Sequence, residues 1–382
     1  MAHCSTVCAQ LLRLVPRHAF DALALEHHVG APLRRISRWM QLVALLAAQL
    51  TGRQSLRDIT GMLEAQRHQL YHLGGRPVRR SSLARVNAEQ PYALFEALFG
   101  RLAAATQKIG PHHRFRFKNR LVSLDASLIE LSLALFPWAH FANRKAALKL
   151  HVGLDHGGCL PVFATLAAPH ASEAEFVRRQ ALPKGSIAVF DRGCVSFALL
   201  AELTARGIFF VTRLKQHNRV EVVDQRAVRR GVVGDETIAI RGQAARAARL
   251  PKLRRVTYVD PVSGQRYVFL TNNFALAART IADLYKERWQ IELFFKWLKQ
   301  NLRLKSFLGT TLNAVLTQVW IALCTYLLLA YLKFINGLPQ SLQQILRLLQ
   351  VNLFQRRNLL ALLHGEARDP PPKWQQSQLV LI

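Results

Sequence analysis

YKERWQIELFFKWLK runs from Tyr285 to Lys299. Tyr285, Arg288, Glu292 and Lys299 stand at offsets of three, seven and fourteen residues. A helix turns about 100° per residue, so these four fall within about 60° of one another and share a face. Leu284, Ile291, Phe295, Leu298 and Leu302 make an adjoining apolar face. The spacing predicts one helix that offers a stripe to a core and, beside it, a carboxylate flanked by two cations and a phenol. A solvated face with i,i+4 pairs, Arg288–Glu292 and Glu292–Lys296, accounts for the same pattern. The meaning of the stretch therefore rests on the rest of the chain.

That chain has 382 residues, 51% of them hydrophobic, with 52 Lys and Arg against 23 Asp and Glu and a net charge of +29. It is long enough for two or three domains and a sizeable core. The cationic surplus points to a polyanionic partner. Five cysteines, Cys4, Cys8, Cys159, Cys194 and Cys324, are scattered and form no CxxC pair. That argues against a disulfide framework or a zinc module, including one at His3, Cys4 and Cys8, and fits a reducing cytosol. No signal peptide is expected. Val319–Leu332 is fourteen residues without a charge, short for a membrane span and better read as a buried core helix.

Upstream of the opening stretch, residues 1–110 read as helical. Residues 1–120 hold 18 Lys and Arg against 6 Asp and Glu. Ser55–Leu63, the Gly74–Pro77 turn and the basic segment from Arg79 resemble a helix-turn-helix arrangement. Arg79, Arg80 and Arg85 are its candidate DNA contacts. Residues 121–214 change character. Leu121–Leu133, Ala147–Asp155, Leu160–Leu166, Ile187–Phe190 and Ile208–Leu214 read as strands, and Ser172–Gln180 and Ser196–Arg206 as helices. Three antiparallel strands followed by strand–helix alternation is the order of an RNase H-like sheet. Residues 215–265 read as short strands without helical period, an insertion. Arg266–Asn272 reads as a strand and 312–363 as helices, and the tail from Asp369 as extended.

Carboxylates are scarce, and three are oddly placed. Asp125 sits inside a strand, where acids are disfavoured. Asp191 ends the apolar run Ile187–Phe190, the strand-end position where ligands collect in open α/β sheets. Glu292 is the helical acid. An edge-strand Asp and a turn-capping Asp are the plain alternatives for the first two. Brought together, the three repel one another, and a hard divalent cation such as Mg²⁺ relieves that repulsion.

At this point a family likeness is visible. Tyr285-x2-Arg288-x3-Glu292-x6-Lys299 resembles the Y-R-E-K signature of DDE transposases of bacterial insertion sequences, insertion-sequence-4 type. VFDRGC (Val189–Cys194) is similar to their second-aspartate segment, VSLDAS (Val122–Ser127) to the first, and ALKLHVGLD (Ala147–Asp155) to the following strand. SLRDI and YHLG (Ser55–Ile59, Tyr71–Gly74) resemble a small leader domain. The likeness spans roughly residues 35–340. One departure is that Ala168-Pro169-His170-Ala171-Ser172 stands where many relatives carry a Lys-x-His-Asp-like run.

The resemblance implies α/β architecture: an RNase H-like catalytic core (116–310) interrupted by a β-strand insertion (215–265). An N-terminal helical DNA-binding domain (1–115) and a C-terminal helical region (311–382) flank it. It implies Asp125, Asp191 and Glu292 as a metal triad for two Mg²⁺ ions, which Mn²⁺ can replace. Tyr285, Arg288 and Lys299 would then hold DNA phosphates. The implied partners are double-stranded DNA, as terminal inverted repeats and target, and a second copy in a homodimeric synaptic complex. No membrane is implied; the setting is the bacterial cytoplasm and nucleoid. The activity is strand cleavage and strand transfer, with a hairpin intermediate in relatives. A catalytically inactive, repurposed DNA-binding protein and an RNase H-like junction resolvase are the rival readings.

Overall fold

The structure, a computed structural model, describes residues 5–142, 145–214, 218–228, 231–302 and 306–365. His3, Cys4 and the tail from Asp369 lie outside the described residues. The chain opens with helices α1 (Val7–Leu12), α2 (Arg17–Glu26), α3 (Arg38–Thr51), α4 (Leu56–Ala65), α5 (Arg80–Glu89) and α6 (Ala93–Ile109). Next come β1 (Leu121–Leu131), β2 (His140–Ala142), β3 (Lys145–Asp155), β4 (Leu160–Ala167), α7 (Glu173–Arg179), β5 (Ile187–Phe190), α8 (Phe197–Ala205) and β6 (Phe209–Arg213). They are followed by β7 (Val220–Gln225), β8 (Val232–Ile240), α9 (Gln243–Ala247), β9 (Leu253–Val259) and β10 (Arg266–Thr271). The chain closes with α10 (Ala278–Glu287), α11 (Trp289–Asn301), α12 (Leu312–Ile335), α13 (Leu342–Asn352) and α14 (Leu359–His364).

By its contacts the chain forms two compact units. One takes Met1–Pro111, Ile129–Ala147 and Lys296–Ile382. Its centre is α12, buried from Ala314 to Leu332. A helix apolar all round belongs either in a core or in a membrane. This one is long and apolar enough for either, but its most apolar window is 100% buried, and α3, α5, α6 and α13 pack on it. The expected core helix is thus observed. α3 starts where Ser37 Oγ accepts from Met40 N (3.1 Å) and stops at Gly52, whose φ of 67° is left-handed, the usual Ser and Gly ends of a helix.

The expected helix-turn-helix is not formed. A 3-10 helix, Arg67–Leu73, and the following turn separate α4 from α5, longer than the three or four residues of that motif. Leu70 and Leu73 are fully or nearly buried, so the core holds this segment in place. Ser81 and Ser82 lie inside α5 rather than capping it, and Ser82 is buried.

The other unit, His112–Leu128 and Leu148–Phe295, is built on a mixed sheet in the order β3-β1-β5-β6-β10-β9-β8-β7, with β4 paired to β3. β1, β5 and β6 run parallel. β3 and β4 form an antiparallel pair around His156-Gly157-Gly158, and β10, β9, β8 and β7 extend the other side antiparallel. Interior parallel strands read as continuous apolar runs, and all four residues of β5 are buried. Within 215–265 the described residues supply β7, β8 and β9 and also the short helix α9, which periodicity did not announce.

One buried ion pair fixes how the sheet delivers α10. Arg254 on β9 grips Asp235 on β8 with two bonds of 2.7 Å, its side chain 3% and that of Asp235 5% exposed. Its remaining nitrogen donates to Asn273 O (3.1 Å) and Leu276 O (2.6 Å). Asn273 Oδ1 accepts from Ala275 N and Leu276 N, and Asn272 Oδ1 from Phe210 N. The chain between β10 and α10 is therefore tied on every side, and Ile281, Ala282 and Leu284 of α10 seat on Leu121, Ile187, Val189, Val211 and Phe269. Breaking such a pair strands a buried guanidinium, which costs about 3–5 kcal/mol. Asp235→Ala is accordingly expected to lower the unfolding free energy by that amount, read as a lower urea midpoint at unchanged m-value; a loss below about 1 kcal/mol would remove the pair from this role.

Candidate active site

The register of two parallel strands sets the site. Leu121 to Leu124 pair with Ile187 to Phe190. The next residues, Asp125 inside β1 and Asp191 just past β5, therefore stand side by side where this pairing ends, about 5 Å apart in strand spacing. In β1 the four residues before Asp125 are buried, and exposure begins at Asp125 itself. The sheet thus delivers two carboxylates to one edge of an otherwise apolar surface.

The polar stretch is helical, but as two helices rather than one. α10 ends at Glu287, Arg288 caps it at φ −52° and ψ −30°, and α11 begins at Trp289. The backbone tightens there to bonds from Arg288 N to Tyr285 O and from Ile291 N to Arg288 O, each 3.1 Å. The break coincides with Glu287, a buried acid that accepts from Arg114 and Gln290 and lies 4.0 Å from His156 Nδ1. The apolar face behaves as expected, with Leu284, Ile291, Phe295, Leu298 and Leu302 all buried.

Two side chains dock this helix pair on the strand ends. Tyr285 OH donates to Asp191 Oδ1 at 2.9 Å. Arg288 bridges two acids, with Nη1 3.4 Å from Asp125 Oδ2 and Nη2 2.6 Å from Glu292 Oε1. Asp125, Asp191 and Glu292 are thus brought together, with Tyr285 and Arg288 between them. Lys299 sits in the last turn of α11. Arg79, Arg80 and Arg85 are exposed on the helical unit.

A second layer was not singled out from the sequence. Lys149 Nζ on β3 pairs with Glu173 Oε1 at 2.8 Å, at the first turn of α7. The Cys194 thiol donates to Glu173 Oε2 at 3.2 Å. Glu173 thereby ties β3 to the turn that carries Asp191. It is the acid nearest the departure at Ala168–Ser172. The signal available was Lys149, a cation inside the apolar strand ALKLHVGLD. Beneath Asp125, Ser123 Oγ and His156 Nε2 are 2.7 Å apart, and burial pushes the imidazole down to about 4, so it is neutral.

The carboxylates differ electrostatically. Burial pushes Asp125 up to about 6; the Ala126 amide and Arg288 work against the rise, and the charges of Glu173 and Glu292 add to it. At Asp191 burial also works upward, but the Tyr285 hydroxyl, the Arg192 amide and the Arg288 and Arg192 charges outweigh it and hold the group below its usual value. Burial works to lower Arg288, yet its anionic neighbours raise it. Among the described residues no three His, Cys, Asp or Glu side chains are placed to hold a metal ion as they stand; the guanidinium lies across Asp125 and Glu292 instead.

A pH dependence follows. Folded, Asp125 keeps its proton to about pH 6; unfolded, only to about 4. Between these values the folded state holds the extra proton, so stability falls as pH rises through the window and stays lower above it. In EDTA, Asp125→Asn should be more stable than wild type by up to about 3 kcal/mol above pH 6 and equal to it below pH 4. Urea midpoints across that range check this; a gain that does not vary with pH would contradict it.

Comparison with known proteins gives this geometry its context. The family described as "Transposase DDE domain" matches residues 116–328. The family described as "Domain of unknown function (DUF4372)" matches residues 3–76. A protein named as a transposase in Sinorhizobium fredii is 32% identical over 318 residues, 82% of this chain and 85% of its own length. A protein named as the transposase of an insertion sequence element in Geobacillus stearothermophilus is 29% identical over 262 residues, 66% of this chain and 67% of its own. A solved structure of the piggyBac transposase synaptic complex with hairpin DNA aligns over 95% of this chain and 80% of that one at 12% identity and TM-score 0.47, too low a likeness to carry weight. With the DDE domain across more than half of its length and a relative matched nearly end to end, the chain belongs to the DDE transposases.

Proposed function

We propose that this transposase cuts and joins DNA with Asp125, Asp191 and Glu292 as its acidic triad, within an RNase H-like core and the Y-R-E-K group of insertion-sequence-4 elements. The observation that carries this reading is the docking of one helix pair on two strand ends, Tyr285 on Asp191 and Arg288 on Asp125. It supports reading acids far apart in the sequence as one site. The order β4-β3-β1-β5-β6, with β1, β5 and β6 parallel, supports the RNase H-like assignment. Residues 215–265 then form the insertion between the second and third acids.

The donors suit a hard divalent cation, since they are carboxylate oxygens with no thiolate or imidazole among them. Two Mg²⁺ ions, or Mn²⁺ in their place, would be held by Asp125, Asp191 and Glu292 and would supply Lewis acidity toward the attacking and leaving oxygens. The chain's own residues do the rest. Tyr285 keeps Asp191 ionised. Arg288 is a planar fork, half-buried beside the acids, and suits bidentate contact with a phosphate. Lys299 extends the same helix with a second cation. Water and then a freed 3′-hydroxyl serve as nucleophiles, so no covalent protein–DNA bond is required. Terminal inverted repeats and target duplex are the substrates, a homodimer pairs the two ends, and the protein works at the nucleoid. The N-terminal helical domain binds the ends.

The test is strand cleavage of the DNA flanking this gene on both sides. With Mg²⁺ the wild type should nick both flanks at matching positions. EDTA and Glu292→Ala should each abolish nicking while duplex binding persists. Specific binding with no cut under any metal would overturn catalysis and leave a DNA-binding protein; cleavage retained in Glu292→Ala would remove that residue from the triad.

A further inference from the structure

The turn Gly74-Gly75-Arg76 is unexplained by the catalytic site, yet the helical unit is shaped around it. On one side it borders a cleft of about 450 Å³ whose rim carries Arg34, Arg35 and Arg76. On the other it borders a cleft of about 290 Å³ lined by Arg13 and Arg17. Among the described residues no carboxylate lines the larger cleft; at the smaller, Arg17 is paired with Asp21 at 2.8 Å. Arg34, Arg35 and Arg76 are exposed, and Tyr71, 63% exposed, stands at the lip of the larger cleft.

The turn is pinned in place. Gly74 has φ +67°, which favours glycine, and a Cβ on Gly75 would lie 2.0 Å from Met40 Sδ. The turn backbone therefore rests directly on α3, with no room for a side chain. Trp39 Nε1 donates to Leu73 O at 2.7 Å, and Arg76 Nη2 donates to Arg34 O at 3.1 Å, which ties the two walls of the larger cleft together. Like charges gathered on a fixed frame repel one another, and an anion is what relieves them. A frame already ordered loses little entropy when it is bound. Arg79, Arg80 and Arg85 line neither cleft.

We infer that the Gly74–Arg76 turn and its basic clefts are the surface by which this chain grips the phosphate backbone of duplex DNA, with Arg34, Arg35 and Arg76 as the phosphate contacts. This rests on the transposase reading and assigns its DNA-binding face. Phosphate contacts fix position without reading sequence, so the grip is common to specific and non-specific duplex.

The experiment measures binding of a labelled duplex from the element's flank by the full chain across a salt series. Each phosphate contact contributes about 0.9 to the slope of log K against log salt. Replacing Arg34, Arg35 and Arg76 together with Ala should flatten the slope by about three and weaken binding on the order of a hundredfold at 0.15 M salt. The loss should be equal for flank and unrelated duplex. A charge-matched variant, Arg53, Arg57 and Arg67 to Ala, should bind within about threefold of wild type, because it removes the same net charge away from the clefts. Circular dichroism and a single cooperative urea transition establish that both variants are folded. A folded cleft variant that binds like wild type, or a charge-matched variant that loses as much, overturns the inference while leaving the transposase reading intact. A wild type that binds no duplex at all overturns that reading as well.

Discussion

Arg288 is the link on which the candidate site depends. It joins Asp125, within the central strand β1, to Glu292, on the helix that follows. Two carboxylates presented to one place repel one another, and a guanidinium between them offsets that. Without a cation at this point, the helix pair and the strand ends would be driven apart by the groups they must present together. The tyrosine on the neighbouring turn does the corresponding work at Asp191 as a neutral donor.

The rest of the second unit holds that link in position. The parallel register of β1 and β5 sets the two aspartates abreast. The Asp235–Arg254 fork and the two asparagines after β10 fix where α10 begins. The apolar side of α10 then has one seat on the sheet, and Tyr285 and Arg288 fall over Asp191 and Asp125. Lys149 and Glu173 repeat the arrangement one layer back, an ion pair across elements that steadies the turn bearing Asp191. In a chain of charge +29, acids are few, and those near the site are each held by a cation or a donor.

Much of this was legible because it is local. Asp191 at the end of a four-residue apolar strand and Tyr285, Arg288 and Glu292 at helical offsets are statements about neighbouring residues, and the structure places them together. The helices expected from Ser172 and Ser196 and the burial of Val319–Leu332 follow from the same kind of reasoning. The helix-turn-helix reading failed because a run of polar and basic residues does not disclose that Leu70 and Leu73 anchor a 3-10 segment between the two helices. The break at Arg288 was hidden because the hydrophobic period continues unchanged across it.

Periodicity and strand-end position, by themselves, marked out most of the helices and strands and singled out Asp125, Asp191 and Glu292 as candidates, since each depends on residues within a few positions of one another. Tertiary structure alone decided which groups meet. Tyr285 reaches Asp191 across 94 residues and Arg288 reaches Asp125 across 163; Lys149 finds Glu173, and the N- and C-terminal helices gather in one unit around α12. Those pairings are set by sheet register and by the burial of apolar faces over the whole chain, quantities that no local spacing encodes.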